Sequence, residues 1–227
     1  MSGAGKVKIG IVGTKFAADL HINAYLRCPS AEVVAVCDKD QGRMKEFAEK
    51  FNIAKQYSTY QELVNDPEIQ LVSICVPNFL HAEVALAACA AGKNVVCEKP
   101  LATSVEKAKE VVEAFRQKGL KLMHAEDWNF APAIQRAKQI IDEGAIGEIL
   151  YIKAKETHNG SHSPFAQTIE FCGGGAFLHV GIHPAGFVRF ITGHEVVEVY
   201  ANTTPGLEGN MVHKGMEGED WGAALLT

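Results

Sequence analysis

Between residues 7 and 124 the chain alternates short, unbroken apolar runs with helix-length segments. The apolar runs cover 7–12, 32–37, 70–76, 94–97 and 120–124. The segments between them, 16–26, 40–51, 80–91 and 105–117, have helical character. A strand buried on both faces reads as a continuous apolar run, and parallel strands need a crossover of a dozen or more residues, usually a helix. The alternation therefore predicts right-handed βαβ crossovers and a doubly wound parallel α/β sheet over residues 1–124.

The pattern changes after that point. Residues 131–143 read as a helix, and 148–156 (EILYIKAKE) as a longer strand of alternating polarity. A Gly- and His-rich loop follows. Residues 174–192 look largely helical and begin after three glycines. Residues 195–202 (EVVEVYAN) alternate cleanly, and 221–226 begin a further strand. Alternation means one buried and one wet or partnered face. We expect a second, α+β domain over 125–227, built on an open, mainly antiparallel sheet. Only two secure strands precede the final stretch, and 221–227 reads as a strand cut partway. The expectation is thus an N-terminal portion of a longer protein, or a truncated one. An open sheet edge invites pairing with another chain, so a homodimer or homotetramer through the second-domain sheet is expected.

Composition excludes several function classes. The formal net charge is −5, and no basic stripe offers a nucleic-acid footprint. No apolar run reaches the length that spans a bilayer. Six cysteines carry no zinc or redox spacing; Cys37, Cys75 and Cys97 lie within or at the ends of apolar runs. This usage predicts a reduced, cytoplasmic protein.

The first turn reads Gly10-Ile-Val-Gly13-Thr-Lys15-Phe-Ala-Ala18-Asp-Leu-His21. A dinucleotide loop needs a glycine for the tight turn, a second for close pyrophosphate approach and a third small residue where helix meets strand. Gly13 and Ala18 fit the first and third positions. Lys15 occupies the second, where it either folds outward or pairs with the pyrophosphate. Gly13, Thr14, Lys15, Phe16 and Ala17 form the expected phosphate-facing turn, because a helix N-terminus attracts phosphate. Asp38 ends the second strand, where a carboxylate accepts hydrogen bonds from an adenosine ribose. Its other reading is a turn or cap residue. A carboxylate there favours NAD; the adjacent Lys39 keeps NADP open.

Two further stretches are Val76-Pro77-Asn78-Phe79-Leu80-His81 and Ala91-Gly92-Lys93-Asn94-Val95-Val96-Cys97-Glu98-Lys99-Pro100. At their spacing the sequence resembles the glucose-fructose oxidoreductase / inositol dehydrogenase (Gfo/Idh/MocA) family of nicotinamide-dependent oxidoreductases. The stretches 143–148 (EGAIGE) and 173–176 (GGGA) are similar to the family as well. The resemblance implies a Rossmann-type first domain and a cis peptide before Pro100. It implies that Pro77, Asn78, His81, Glu98 and Lys99 lie at the cofactor, and that Lys99 touches the reacting oxygen, where an ammonium stabilises alkoxide character. It also implies that His183 is the family's histidine and exchanges the proton, with His179 in place of the family's aspartate. If both are helical, their i, i+4 spacing puts them on one face; Pro184 argues that the helix starts only there. Asp127 and Asn129 stand where family members face substrate, although Asp127 also reads as a helix N-cap. His158 and His162, in the loop between the domains' later elements, are further substrate candidates.

The expected function is hydride transfer between NAD (or NADP) and a sugar, polyol or related hydroxy compound. The rivals are a non-catalytic nucleotide-binding regulator, a redox-neutral enzyme that keeps NAD bound, and a metal-dependent hydrolase or lyase using the histidines. No metal is expected.

Overall fold

The structure is a computed structural model that describes residues 5–160 and 163–227. It divides into two compact units, Met1–Ala125 and Glu126–Thr227.

The first unit runs β1 (Val7–Val12), α1 (Phe16–Leu26), β2 (Ala31–Cys37), α2 (Gln41–Phe51), β3 (Lys55–Tyr57), α3 (Tyr60–Asn65), β4 (Leu71–Ile74), α4 (His81–Ala90), β5 (Asn94–Glu98), α5 (Val105–Lys118) and β6 (Leu122–Ala125). The six strands pair in the order β3-β2-β1-β4-β5-β6, and every pairing is parallel. Strand order reverses between β1 and β4. That switch point is where an open α/β sheet leaves a crevice for ligand beyond its carboxyl ends.

Strand residues alternate between the two faces, and helices cover both. Ile9, Ile11 and Val36 pack with Ala18 and Ile22 of α1 and with Met44, Phe47 and Ala48 of α2. Val12, Val72, Ile74 and Val95 pack with Leu63, Val84, Ala85, Ala88, Val111 and Phe115 from α3, α4 and α5. Each fully buried large side chain, such as Ile11 or Phe115, contributes about 1.5–3 kcal/mol by leaving water. Helix starts follow the local chemistry. The Asp40 carboxylate accepts the Arg43 N–H, Thr59 and Glu62 form a capping box, and Ser104 Oγ accepts the Lys107 N–H.

β3 and α3 were not foreseen from the sequence pattern. A three-residue edge strand is too short to show a period, and its pairing with β2 comes from the tertiary fold.

The second unit contains α6 (Pro132–Asp142), α7 (Ile169–Cys172), α8 (Ala176–His179), α9 (Ile182–Thr192), β7 (Val199–Thr203) and β8 (Gly222–Leu226). β7 and β8 form a two-stranded antiparallel sheet. Two expectations need correction. Residues 148–156 form no strand: burial alternates along them, but no ladder partner pairs with them among the described residues. Alternating polarity can specify a half-buried extended segment without supplying its neighbour. The stretch 174–192 is two helices rather than one. α8 ends at His179, and a Cβ at Gly181 would lie 2.8 Å from the Phe177 carbonyl oxygen.

The chain between β7 and β8 is tied internally. The Asp220 carboxylate accepts the backbone N–H groups of Met211, Val212 and His213 and the Thr204 hydroxyl. Burial would raise its pKa, but these bonds hold it well below the usual carboxylate value. Asn210, 1% exposed, donates to the carbonyls of His213, Met216 and Gly218. The three glycines before α8 have a packing reason here: a Cβ at Gly175 would lie 2.2 Å from the Glu219 carbonyl oxygen.

In the first unit the amino-terminal side of the sheet carries a brace. The buried Lys93 ammonium donates to the carbonyls of Asp66 and Ile69, at 2.7 Å each. The Asp66 carboxylate accepts from Lys55 Nζ at 2.6 Å and from the Tyr57 hydroxyl at 2.8 Å. The Lys55 pairing, above all, holds Asp66 at about 2, below its ordinary 3.8. A depressed carboxylate stabilises the fold above its unfolded pKa, and that contribution is lost as pH falls through the folded value. Asp66→Asn should therefore flatten the acid limb of stability between about pH 4 and pH 2. Urea unfolding across that range checks this; an unchanged limb would remove Asp66 from the acid response.

Candidate active site

The carboxyl ends of four strands in the first unit bring the sequence motifs to one edge. Gly13 follows β1 with φ +102°. A Cβ there would lie 2.3 Å from the Cys75 carbonyl oxygen, which follows β4. Glycine is thus required twice over, by backbone conformation and by close approach. Lys15 is the exposed N-cap residue of α1, and no side chain caps that helix. Phe16 and Ala17 form its first turn, so the first-turn amides and the helix dipole suit a phosphate.

Asp38 follows β2. Its Oδ2 accepts the Thr14 N–H at 3.0 Å and the Thr14 hydroxyl at 2.6 Å, and its Oδ1 accepts the Asp40 N–H at 3.0 Å. It therefore does organise the turn. A carboxylate offers about four acceptor positions, so the same group retains capacity for a ribose hydroxyl.

Pro77 and Asn78 lie at the start of a 3₁₀ turn after β4. His81, expected at the cofactor, is 1% exposed, with one ring nitrogen 2.6 Å from the Pro100 carbonyl and the other 2.8 Å from the Val76 carbonyl. With a carbonyl at each nitrogen, the ring braces the two loops. Burial pushes its pKa down, against the pull of the carbonyls.

Glu98 ends β5 and Lys99 follows it, joined to Pro100 by the implied cis peptide. Glu98 Oε1 lies 3.0 Å from His21 Nε2, and Oε2 accepts the Lys99 N–H at 3.1 Å. His21 Nδ1 meets Ser73 Oγ at 2.8 Å, and the Tyr25 hydroxyl donates to the same oxygen. Burial alone would raise the Glu98 pKa; the His21 hydrogen bond and charge and the Lys99 amide reverse this and hold it below the ordinary value. His21 stood in the first quoted stretch, but nothing in local spacing announced its partner.

In the second unit the centre is His183, the second residue of α9 and 8% exposed. Its Nδ1 lies 2.5 Å from Glu126 Oε2 and 3.7 Å from Asp127 Oδ1. Glu126 is 6% exposed, and its Oε1 accepts the Trp128 N–H at 3.0 Å. The Trp128 ring stacks on the imidazole at 5.7 Å and 17°, and Phe187 meets its edge. Asp127 makes no capping bond, and its side chain is mostly exposed. Asn129 Oδ1 is buried without a hydrogen-bond partner among the described residues.

His179 does not share a helix face with His183. It belongs to α8 and lines a separate cleft of about 60 Å³ with His158, Cys172, His213 and Asp220. His158 Nδ1 there accepts the Gly160 N–H. His162 lies outside the described residues. The donor set spaced for a cation is Glu126, Asp127 and His183, whose ligand atoms lie within 4.8 Å of one another; His179 and His158 are not in it. Glu126 was the residue the sequence reading passed over, between the better-marked Asp127 and Asn129 and the strand before them.

Residues 7–126 match the model of the Gfo/Idh/MocA oxidoreductase family, NAD-binding Rossmann fold, and residues 134–227 match the C-terminal domain model of the same family. The chain belongs to this family. Among its relatives, trans-1,2-dihydrobenzene-1,2-diol dehydrogenase of Mus musculus is 35% identical over 83% of this chain and 57% of its own. A solved levoglucosan dehydrogenase in complex with NADH is 31% identical, with a TM-score of 0.79 over 88% of this chain and 57% of that one. GenD2 from gentamicin A biosynthesis, solved in complex with NAD, shares the fold at 23% identity, with a TM-score of 0.87 over 98% of this chain and 62% of its own. The chain thus spans somewhat over half the length of the Gfo/Idh/MocA relatives it matches.

The strict need for glycine at the family's first turn is testable. Gly13→Ala should cost about 1–3 kcal/mol, since it combines a positive φ with a backbone clash. Thermal unfolding measures it; an unchanged midpoint would show that the turn can relax.

Proposed function

We propose that this chain is part of an NAD-dependent oxidoreductase that moves a hydride between nicotinamide and a hydroxyl-bearing carbon of a sugar, polyol or diol. The observation that carries the reading is Glu-Lys-Pro at the carboxyl end of β5, beside the switch point of a parallel sheet. The relatives' names point to the same chemistry on small hydroxy compounds.

The residues fit a dinucleotide. Gly13 permits close approach, the uncapped α1 N-terminus suits the pyrophosphate, and Asp38 has acceptor capacity for the ribose. A 2′-phosphate would be repelled by that carboxylate, which favours NAD; Lys39 next to it is the feature that would admit NADP. When bound, the nicotinamide supplies the hydride acceptor or donor. Lys99 is assigned to stabilise negative charge on the reacting oxygen, and His183 to exchange its proton near neutral pH. Pro77, Asn78 and Glu98 shape the cofactor edge, and Asp127 and Asn129 face the substrate. A second reading draws on Glu126, Asp127 and His183 as cation ligands in a hydrolase or lyase; loss of turnover on chelation would favour it.

Among the described residues no helix is long and apolar enough to cross a membrane, and all six cysteines are free thiols. The free thiols support a cytoplasmic setting. Exposed Val199, Tyr200 and Leu225 on the β7–β8 sheet support homo-oligomerisation through it.

The test is a panel of sugars, polyols and diols, levoglucosan and trans-1,2-dihydrobenzene-1,2-diol among them, with NAD and NADP, read by absorbance of the reduced nicotinamide. Lys99→Ala should lower kcat about 100- to 1000-fold with NADH affinity retained. Unchanged kcat would sink the assignment. Asp38→Ala should weaken NADH binding about tenfold or more, because a charge-assisted hydrogen bond is lost; calorimetry showing unmoved affinity would leave Asp38 as a turn residue alone.

A further inference from the structure

We infer that Glu126 is the carboxylate that positions His183, orienting its ring and fixing which nitrogen carries the proton; this rests on the reading of His183 as the proton-exchanging group. Glu126 Oε2 and His183 Nδ1 are 2.5 Å apart, as an ion-pair contact without aligned hydrogen-bond geometry. Neither atom has another hydrogen-bond partner among the described residues. Both residues are more than nine-tenths buried. A buried carboxylate without a complementary group costs several kcal/mol; the Trp128 N–H answers Oε1, and among the described residues only the imidazole stands against Oε2. Catalytic hydrogen bonds are commonly loose before substrate binds and tighten in the complex.

The surroundings hold both partners in place. The Trp128 N–H fixes the other oxygen of Glu126, while the Trp128 ring packs flat on the imidazole. One short turn thus orients acid and ring together. On α9, Gly186 stands one turn beyond His183, and a Cβ there would lie 3.4 Å from Glu126 Cγ. Asp127, at 3.7 Å from the same Nδ1, is mostly exposed and adds a screened charge rather than a fixed contact.

A carboxylate at Nδ1 selects the tautomer with the proton on that nitrogen. Nε2 then keeps its lone pair and can accept a proton from a substrate hydroxyl, returning it in the reverse direction. The family pattern has its aspartate at the position of His179. The end of α8 carries that residue away from His183 here, and Glu126 supplies the carboxylate from another segment.

Nitrogen-15 NMR of the histidine side chains in the full chain tests this without a substrate. The wild type should show His183 as the Nδ1–H tautomer. Glu126→Gln should shift the tautomer towards Nε2–H, while NADH affinity stays within about twofold. An Nε2–H tautomer in the wild type, a spectrum unmoved by Glu126→Gln, or selective broadening of His183 by added Mn²⁺ would overturn the proposal. Because the wild-type spectrum decides by itself, misfolding of the variant does not rescue it. In turnover assays Glu126→Gln should lower kcat about 100-fold or more with KM little changed. If His183→Asn abolishes turnover and Glu126→Gln does not, the positioning role fails and the proposed function stands. If His183→Asn leaves turnover intact, the assignment of the base fails.

Discussion

A half-buried carboxylate holds the carboxyl edge of the first unit's sheet together. Glu98 leaves water at the end of β5 and is answered by His21 from α1, which in turn meets Ser73 on β4. Three elements that the chain presents in different crossovers are thereby locked at the sheet's switch point. Removing one partner of such a pair costs about 3–5 kcal/mol, because the other charge is left uncompensated. The lock also decides what the Glu-Lys-Pro tip has left for chemistry. The acid is engaged by His21 and by the Lys99 amide, so we assign the proposed chemistry at the tip to the lysine.

The opposite side of the sheet shows how one motif divides its labour. Within Ala-Gly-Lys-Asn-Val-Val-Cys-Glu-Lys-Pro, the first lysine, Lys93, is buried with its ammonium on two carbonyls, and burial lowers its pKa. The second, Lys99, follows the strand's carboxyl end. The five-residue β5 between them sets the two lysines at opposite ends of one strand, so the brace and the Glu-Lys-Pro tip are separated by the length of that strand. Spacing in the sequence is therefore physical distance, which is why this stretch was so legible before the fold was seen.

Legibility tracked how local each interaction is. The apolar runs and the helix-length segments between them marked five strands and four helices of the first unit, since burial on both faces leaves a local trace. Residues 148–156 carried the right alternation, yet a strand needs a partner, and no partner is written in the segment itself. The His179–His183 spacing suggested one helix face because it assumed an unbroken helix; the close approach of Gly181 to Phe177 breaks it. Glu126 was unreadable as a partner of His183 because a loop and three helices intervene. At the level of the candidate site, the motifs marked Gly13, Asp38, Lys99 and His183 as candidates, while the contacts of His21, His81 and Glu126 are ones that only folding creates.

Three enclosed histidines, His81 and His183 buried and His21 partly so, show how such roles are told apart. His81 has a carbonyl on each ring nitrogen, and His21 has Ser73 on one and Glu98 on the other. A ring with structural partners on both sides is a bracket. His183 has a carboxylate on Nδ1 and an indole on its face, and among the described residues Nε2 has no protein partner. Its packing fixes the ring as firmly as that of the other two while leaving one nitrogen uncommitted. A proton-exchanging group needs both properties at once, because orientation without an available lone pair does no chemistry and an available lone pair without orientation does it slowly. Burial alone would have ranked His81 first of the three; counting the engaged nitrogens reverses that order.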